Sequence, residues 1–234
     1  WLAAHPQDAL VLQETKLTDD KFPQAEIAAA GYEASWFGQK TYNGVALLAR
    51  QPISDVICGN PHFPDEQKRL IAGTVGDTRV ICAYMPNGQA VGSDKYDYKL
   101  RWLDALEKWL AEELAQHPNL ALCGDYNIAP DDRDVHDPQA WAGQILCSEP
   151  ERSAFRRLLG LGLEDSFRRF EQPEMTFSWW DYRMLGFQKN RGLRIDHVLL
   201  SAALARRCTA AGIDRAPRKR ERPSDHAPVW AQID

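Results

Sequence analysis

Residues 70–84 read LIAGTVGDTRVICAY. Two apolar runs of strand length, Leu70–Val75 and Val80–Tyr84, flank the turn dipeptide Gly76-Asp77. Short apolar runs bounded in this way predict strands, and the turn between them predicts an antiparallel hairpin. Downstream, from Asp94 to about Leu114, the residues Tyr96, Leu100, Leu103, Leu106, Leu110 and Leu114 recur at steps of three or four. That spacing is the apolar stripe of a helix, with Asp104 and Lys108 as an i,i+4 pair and His117-Pro118 as its stop. The next apolar run, Leu120–Cys123, lies one helical crossover beyond Val80–Tyr84, and such a crossover predicts a parallel pair. A hairpin joined to a crossover makes a mixed sheet.

Outward from this centre, further strand-length runs stand at Ala9–Leu12, Gly44–Ala49, Leu193–Leu200 and Pro228–Ile233, and further helices at Phe22–Ala30 and Glu149–Leu159. Strands and helices are interleaved, with no linker, repeat or change of composition. The expectation is one domain over residues 1–234 with an α/β fold: two mixed β-sheets packed face to face, helices outside. The polar, irregular stretch Pro130–Gln144 reads as an exposed loop.

The 234 residues are 44% hydrophobic and 26% charged, which excludes disordered and collagen-like chains. No apolar run approaches the roughly 20 residues that span a bilayer, and no secretory signal pattern is present, so no membrane association and a cytoplasmic location are expected. Five cysteines without a C-x-x-C spacing read as free thiols rather than a disulfide framework or zinc site. With 28 Lys+Arg against 33 Asp+Glu, the net charge is −5. A protein that coats nucleic acid nonspecifically is usually basic, so any phosphate-binding face here is local. The chain opens on Trp1 rather than Met.

Carboxylates recur just after apolar runs: Glu14 after VLQ, Asp125 after LALCG, Asp196 within LRIDHVLL, Asp225 within PSDHAPVW. Carboxylates at strand ends on different strands can converge on a hard cation, which prefers oxygen ligands. Each has a plain structural alternative. Glu14 can cap before Thr15, Asp125 can start a turn with Asn127, and Asp225-His226 can cap a helix. Asp196 is harder to dismiss, because a buried charge needs a partner: Arg194, a metal or a histidine. A carboxylate can also hold an imidazole in its charged form, and Asp196 is a candidate holder of His226. No G-x-S-x-G or activated cysteine supplies a covalent nucleophile.

LQETK (Leu12–Lys16), YMPNG (Tyr84–Gly88), GDYNIAP (Gly124–Pro130), TFSWWDYR (Thr176–Arg183), NRGLRIDHVL (Asn190–Leu199) and PSDHAPVW (Pro223–Trp230) stand in this order. Together they resemble the exonuclease III family of DNA-repair enzymes, within the endonuclease/exonuclease/phosphatase superfamily, from about Ala9 to the C-terminus. The resemblance implies a four-layer α/β sandwich and a monomer. It implies metal-dependent cleavage 5′ of abasic sites in duplex DNA, and trimming of 3′ ends. Mg²⁺ is the implied metal, Mn²⁺ the alternative. Carried over, the metal set is Glu14, Asp125, Asn127 and Asp225. Asp125 acts on the attacking water and Asn127 orients it. Asp196 and Asp225 support the metal and histidine, His226 contacts the scissile phosphate, and Tyr84 lies beside it. Trp179 packs at the abasic sugar. Beside the resemblance, the cations Arg183, Lys189, Arg191 and Arg194 adjoin Trp179 and Asp196 and so read as facing phosphates of double-stranded DNA. A second basic run, Arg215 to Arg222, reads equally as a solvated loop. By the same comparison a first strand is lacking. The competing readings are a superfamily phosphodiesterase acting on a non-DNA substrate and a non-catalytic DNA-binding fragment.

Overall fold

The long helix and the hairpin set the frame of this structure, a computed structural model that describes residues 2 and 4–234; Trp1, where the sequence opens, lies outside the described residues. In chain order the elements are β1 (Ala9–Gln13), α1 (Gln24–Ala29), β2 (Glu33–Phe37), β3 (Val45–Ala49), β4 (Ile53–Cys58), β5 (Leu70–Val75), β6 (Thr78–Ala83), α2 (Asp94–Gln116), β7 (Leu120–Asp125), α3 (Pro138–Trp141), α4 (Glu149–Gly160), β8 (Leu163–Asp165), β9 (Asp196–Ser201), α5 (Ala202–Arg207), β10 (Cys208–Ile213) and β11 (Val229–Ile233).

Six strands form one mixed sheet in the order β4-β5-β6-β7-β9-β8. Its antiparallel hairpin pairs Leu70 with Ala83 through to Val75 with Thr78. Its parallel pair, β6 with β7, runs Arg79↔Leu120 to Cys82↔Cys123, as the crossover predicts. The opposing layer is two separate antiparallel pieces rather than one mixed sheet: β1-β3-β2 and β10-β11. Alternation assigns the faces. Val80 and Cys82 meet Val45 and Leu47 between the sheets, and Cys123 and Val198 meet Ala231 and Ile233. On the other face Ile81, Leu122 and Leu199 pack under α2 and α4, while α1 covers the outside of β1-β3-β2 through Ile27. Each large side chain so buried contributes about 1.5–3 kcal/mol of transfer free energy. The layers are therefore helix, sheet, sheet, helix.

Ser93 caps α2 by accepting the amide of Tyr96, and Asp104 reaches across to Arg157 of α4. The buried face of α2 also carries Lys99 and Glu113, which the apolar stripe does not reveal. β4 escapes the sequence pattern because its register breaks between Ser54 and Ile57. β8 escapes because it is three residues long.

The stretch Pro130–Gln144 is not simply an exposed loop. Asp134 and Val135 are buried within it, because Asp134 accepts from Arg194 at 2.7 and 3.2 Å and from Arg168. All five cysteines are free thiols. Among the described residues no helix is long and apolar enough to cross a membrane.

Candidate active site

Parallel neighbours end at the same edge of a sheet, and ligands bind where such strands end. The β6-β7 register therefore brings the loop after Ala83 beside the loop after Asp125, and the amide of Met85 donates to the Asp125 carbonyl at 2.9 Å. Gly124 makes this approach possible. Its φ is +140°, and a Cβ there would lie 2.1 Å from the Ala83 carbonyl oxygen; only glycine tolerates both conditions.

Asp125 is buried and held by its own turn. The Asn127 backbone amide donates to one carboxylate oxygen at 2.9 Å, and Asn127 Nδ2 donates to the other at 3.0 Å. Asn127 sits at φ +50°, a left-handed conformation that asparagine tolerates better than most residues. Its Nδ2 also donates to the Met85 carbonyl at 3.0 Å, and its Oδ1 accepts from Asn87 Nδ2 at 2.9 Å. Asn87, in YMPNG, joins the site without having been singled out from the sequence. The signal was available, since its segment follows a strand parallel to the one that delivers Asp125.

His226 arrives from the segment before β11. Ala227 donates its amide to Ser178 at 2.7 Å, and Trp180 donates to the Asp225 carbonyl at 3.0 Å. Ser178 Oγ in turn accepts the amides of Ile195 and Asp196, both at 3.0 Å. This stitching sets His226 Nδ1 at 2.9 and 3.0 Å from the two oxygens of Asp196, and Nε2 at 4.0 Å from Asp125 Oδ2. Ligand atoms of Asp125, Asp196 and His226 all lie within 4.8 Å of one another. Burial opposes charge on His226, but Asp196, Asp125 and Asp225 outweigh it and push its pKa up to about 10. Burial and the like charge of Asp196 push Asp125 up to about 7 against the pull of His226.

Within electrostatic reach of His226 and Asp125, Tyr84 donates its hydroxyl to Glu14 at 2.5 Å, and Lys16 Nζ lies 2.8 Å from the same carboxylate. Burial opposes ionisation of Glu14, yet the bonds from Lys16 and Tyr84 hold its carboxyl below its ordinary value. Burial and the Glu14 bond raise the Tyr84 phenol well above its ordinary value, which keeps it a neutral donor. The Lys16 ammonium beside Glu14 is a cation already seated at this mouth. Glu14, held ionised, and Asp125, Asn127 and Asp225 offer the oxygen donors that suit a hard divalent ion, while the ligand atoms that the fold groups within 4.8 Å are those of Asp125, Asp196 and His226. Asp225 at present accepts Trp179 Nε1 at 3.0 Å.

Trp179 is half-buried against Leu193, Ile195 and Leu146, with Trp141 nearby. Trp180 is fully buried, its Nε1 donating to Asn190 at 3.1 Å. Arg183 stands in the open, paired with Asp181 at 2.7 Å, and Arg191 is exposed. Arg194 does not face a phosphate. It is 1% exposed and its guanidinium is spent on Asp134, on Asp165 at 2.8 Å and on His197 Nδ1 at 3.0 Å. A guanidinium that deep requires carboxylate partners, so its position in the motif serves the fold. Asp196 accordingly takes its partner from His226.

The sequence profile described as "Endonuclease/Exonuclease/phosphatase family" matches residues 1–226. Exodeoxyribonuclease III of Haemophilus influenzae is 39% identical over 239 residues, covering 97% of this chain and 90% of that protein. A 3′ phosphatase from Neisseria, NExo, solved with a product DNA hairpin, superposes with TM-score 0.98 at 47% identity over 100% of this chain and 91% of its own. An AP endonuclease from Archaeoglobus fulgidus gives TM-score 0.95 at 36% identity, again over 100% and 91%. With one profile spanning nearly all of its length and relatives matching it end to end, the chain belongs to the endonuclease/exonuclease/phosphatase family.

Proposed function

We propose that this DNA-repair nuclease, a phosphodiester hydrolase of the exodeoxyribonuclease III type, removes nucleotides and phosphate from 3′ ends of duplex DNA and cleaves 5′ of abasic sites. The observation that carries the reading is the Asp125–His226–Asp196 arrangement at the strand edge, with Asn127 bonded to Asp125. Phosphate-ester hydrolysis needs a group to take a proton from water and positive charge for the phosphoryl oxygens. Asp125, its pKa raised to about 7, is the group we assign to accept the proton. Asn127 holds that carboxylate in one orientation. His226, kept charged by Asp196, offers Nε2–H to a phosphoryl oxygen. Tyr84 is a second donor, and a neutral one.

Mg²⁺ bound by Glu14, Asp125, Asn127 and Asp225, with Mn²⁺ as the alternative, would supply further charge for the phosphate and the leaving oxygen. Trp179 offers its half-buried face to a sugar without a base, while Arg191 and Arg183, both exposed and the latter paired with Asp181, meet backbone phosphates. Action as a monomer and a cytoplasmic location belong to the same reading. The identities above favour 3′-end work over abasic cleavage, since the Neisseria 3′ phosphatase is nearer in sequence than the archaeal AP endonuclease.

The test is turnover, with Mg²⁺, of duplexes carrying a 3′-phosphate, a recessed 3′ nucleotide or one abasic site, beside the Asp125→Asn variant. The expected result is turnover of all three, with the variant slower by about 10²-fold or more and duplex binding retained. Activity of Asp125→Asn within a few-fold of the parent sinks the assignment.

A further inference from the structure

Lys99 lies on the inner face of α2 with none of its side chain exposed, paired with Glu151, which is equally enclosed. Its ammonium has three N–H donors, and three acceptors surround it: the Glu151 carboxylate, the Asn127 carbonyl at 2.7 Å and the Asn87 carbonyl at 3.2 Å. The last two belong to the two loops that meet at the candidate site. Their side chains are also bonded to each other, Asn87 Nδ2 to Asn127 Oδ1, and Asn127 passes the contact on to Asp125. Glu151 is fixed from the far side by the amides of Leu146 and Ser148 and by Ser148 Oγ, where it closes a capping box at the start of α4.

A buried lysine serving only the core needs a counter-ion, and Glu151 supplies that. The remaining two N–H groups are directed at the carbonyls of two asparagines in the site. One of these, Asn127, adopts a left-handed backbone that needs support from its surroundings. Gly88 leaves room for the arrangement, since a Cβ there would meet the Lys99 chain at 3.1 Å.

We propose that Lys99, anchored by Glu151, is a positioning residue for the reaction: it ties the Asn87 and Asn127 loops together and so sets the orientation in which Asn127 presents Asp125. The proposal rests on the functional reading of the Asp125 site above.

The experiment compares the parent, Lys99→Met and the pair-deleted K99M/E151Q, in which glutamine can still close the capping box. Removing one partner of a buried pair is costly and removing both is far less so. Melting temperature is therefore expected to fall in K99M and to recover in K99M/E151Q. With position lost, kcat on the 3′-phosphate duplex stays at least about tenfold down in the recovered protein, with KM little changed. In an Asn127→Ala background the same K99M change is expected to cost under about threefold, because the two residues act in series.

A readout free of turnover is amide exchange at Asn127, whose N–H donates to Asp125. Its protection should drop in K99M/E151Q while core amides hold. Lys99→Arg, which keeps the charge but moves the donors, is the second variant, and lowered kcat at parental melting temperature carries the same meaning. Parental kcat in a stable K99M/E151Q or K99R, unchanged Asn127 exchange, or a K99M cost that is the same with and without Asn127 overturns the proposal. If the parent turns over none of the duplexes, the reading of the site fails, and the exchange measurement still judges the tie between Lys99 and Asn127.

Discussion

His226 Nδ1 lies 2.9 and 3.0 Å from the two carboxylate oxygens of Asp196, so the imidazole is gripped at one nitrogen and presents the other. A carboxylate in that position favours the charged ring and leaves Nε2–H facing Asp125.

Asp196→Asn removes the charge and keeps the shape. In the parent His226 stays protonated until pH approaches about 10; without Asp196 its pKa falls back toward its ordinary 6.5. The variant should therefore lose kcat as pH rises above about 7, over a range where the parent, with Asp125 ionised and His226 still charged, holds its rate. Superimposable pH–kcat profiles would show that the charge of His226 is not used.

Glu14→Ala removes one hard oxygen from the mouth and frees Lys16 and Tyr84. The Mg²⁺ concentration for half-maximal rate should rise, by about tenfold, with a smaller loss at saturating metal. A titration that overlays the parent curve would make Glu14 a structural partner of Lys16.

His197, next to Asp196 in sequence, does a different job. Its Nδ1 accepts from Arg194 and its Nε2 donates to the Ile128 carbonyl at 3.0 Å. Burial first, then the Arg194 charge, lower its pKa to about 4 from an ordinary 6.5. The folded state thus holds this ring neutral where the unfolded chain protonates it. The stabilisation is complete above pH 6.5 and is lost as pH falls toward about 4, on the order of 3 kcal/mol in all. Thermal melts between those limits should slope downward for the parent and flatten for His197→Gln; equal slopes would refute the linkage.

The adjacent tryptophans should separate cleanly. Trp180→Ala empties a fully buried site and should cost about 3–5 kcal/mol of stability, depressing every activity together. Trp179→Ala should leave melting much closer to the parent and reduce abasic cleavage more than 3′-end removal. Equal losses on both substrates with a large melting shift would move Trp179 into the core.

Much of this arrangement was legible in the residues. The hairpin at Gly76-Asp77, the crossover helix and the parallel Leu120–Cys123 run follow from spacing alone, because period and turn chemistry are local. GDYN and SDH stood out because carboxylates ending apolar runs are costly unless used. The partner of Asp196 could not be chosen from its neighbours: Arg194 is two residues away but turns into a buried network, while His226 comes from thirty positions downstream. Lys99 was equally hidden. A lysine on an amphipathic helix reads as surface, and only the packing of α2 on two loops and α4 reveals otherwise.

The inward turn of Arg194 also changes how the chain's cations should be counted. Of 28 lysines and arginines, Arg79, Lys99 and Arg194 are already neutralised inside the fold. They displace no counterions when a duplex arrives. The dependence of duplex affinity on salt concentration will therefore report only those cations that still face water, and it will be shallower than a tally of the sequence suggests. The interior pairs, shielded from the same ions, will hold their geometry in salt strong enough to strip the DNA away.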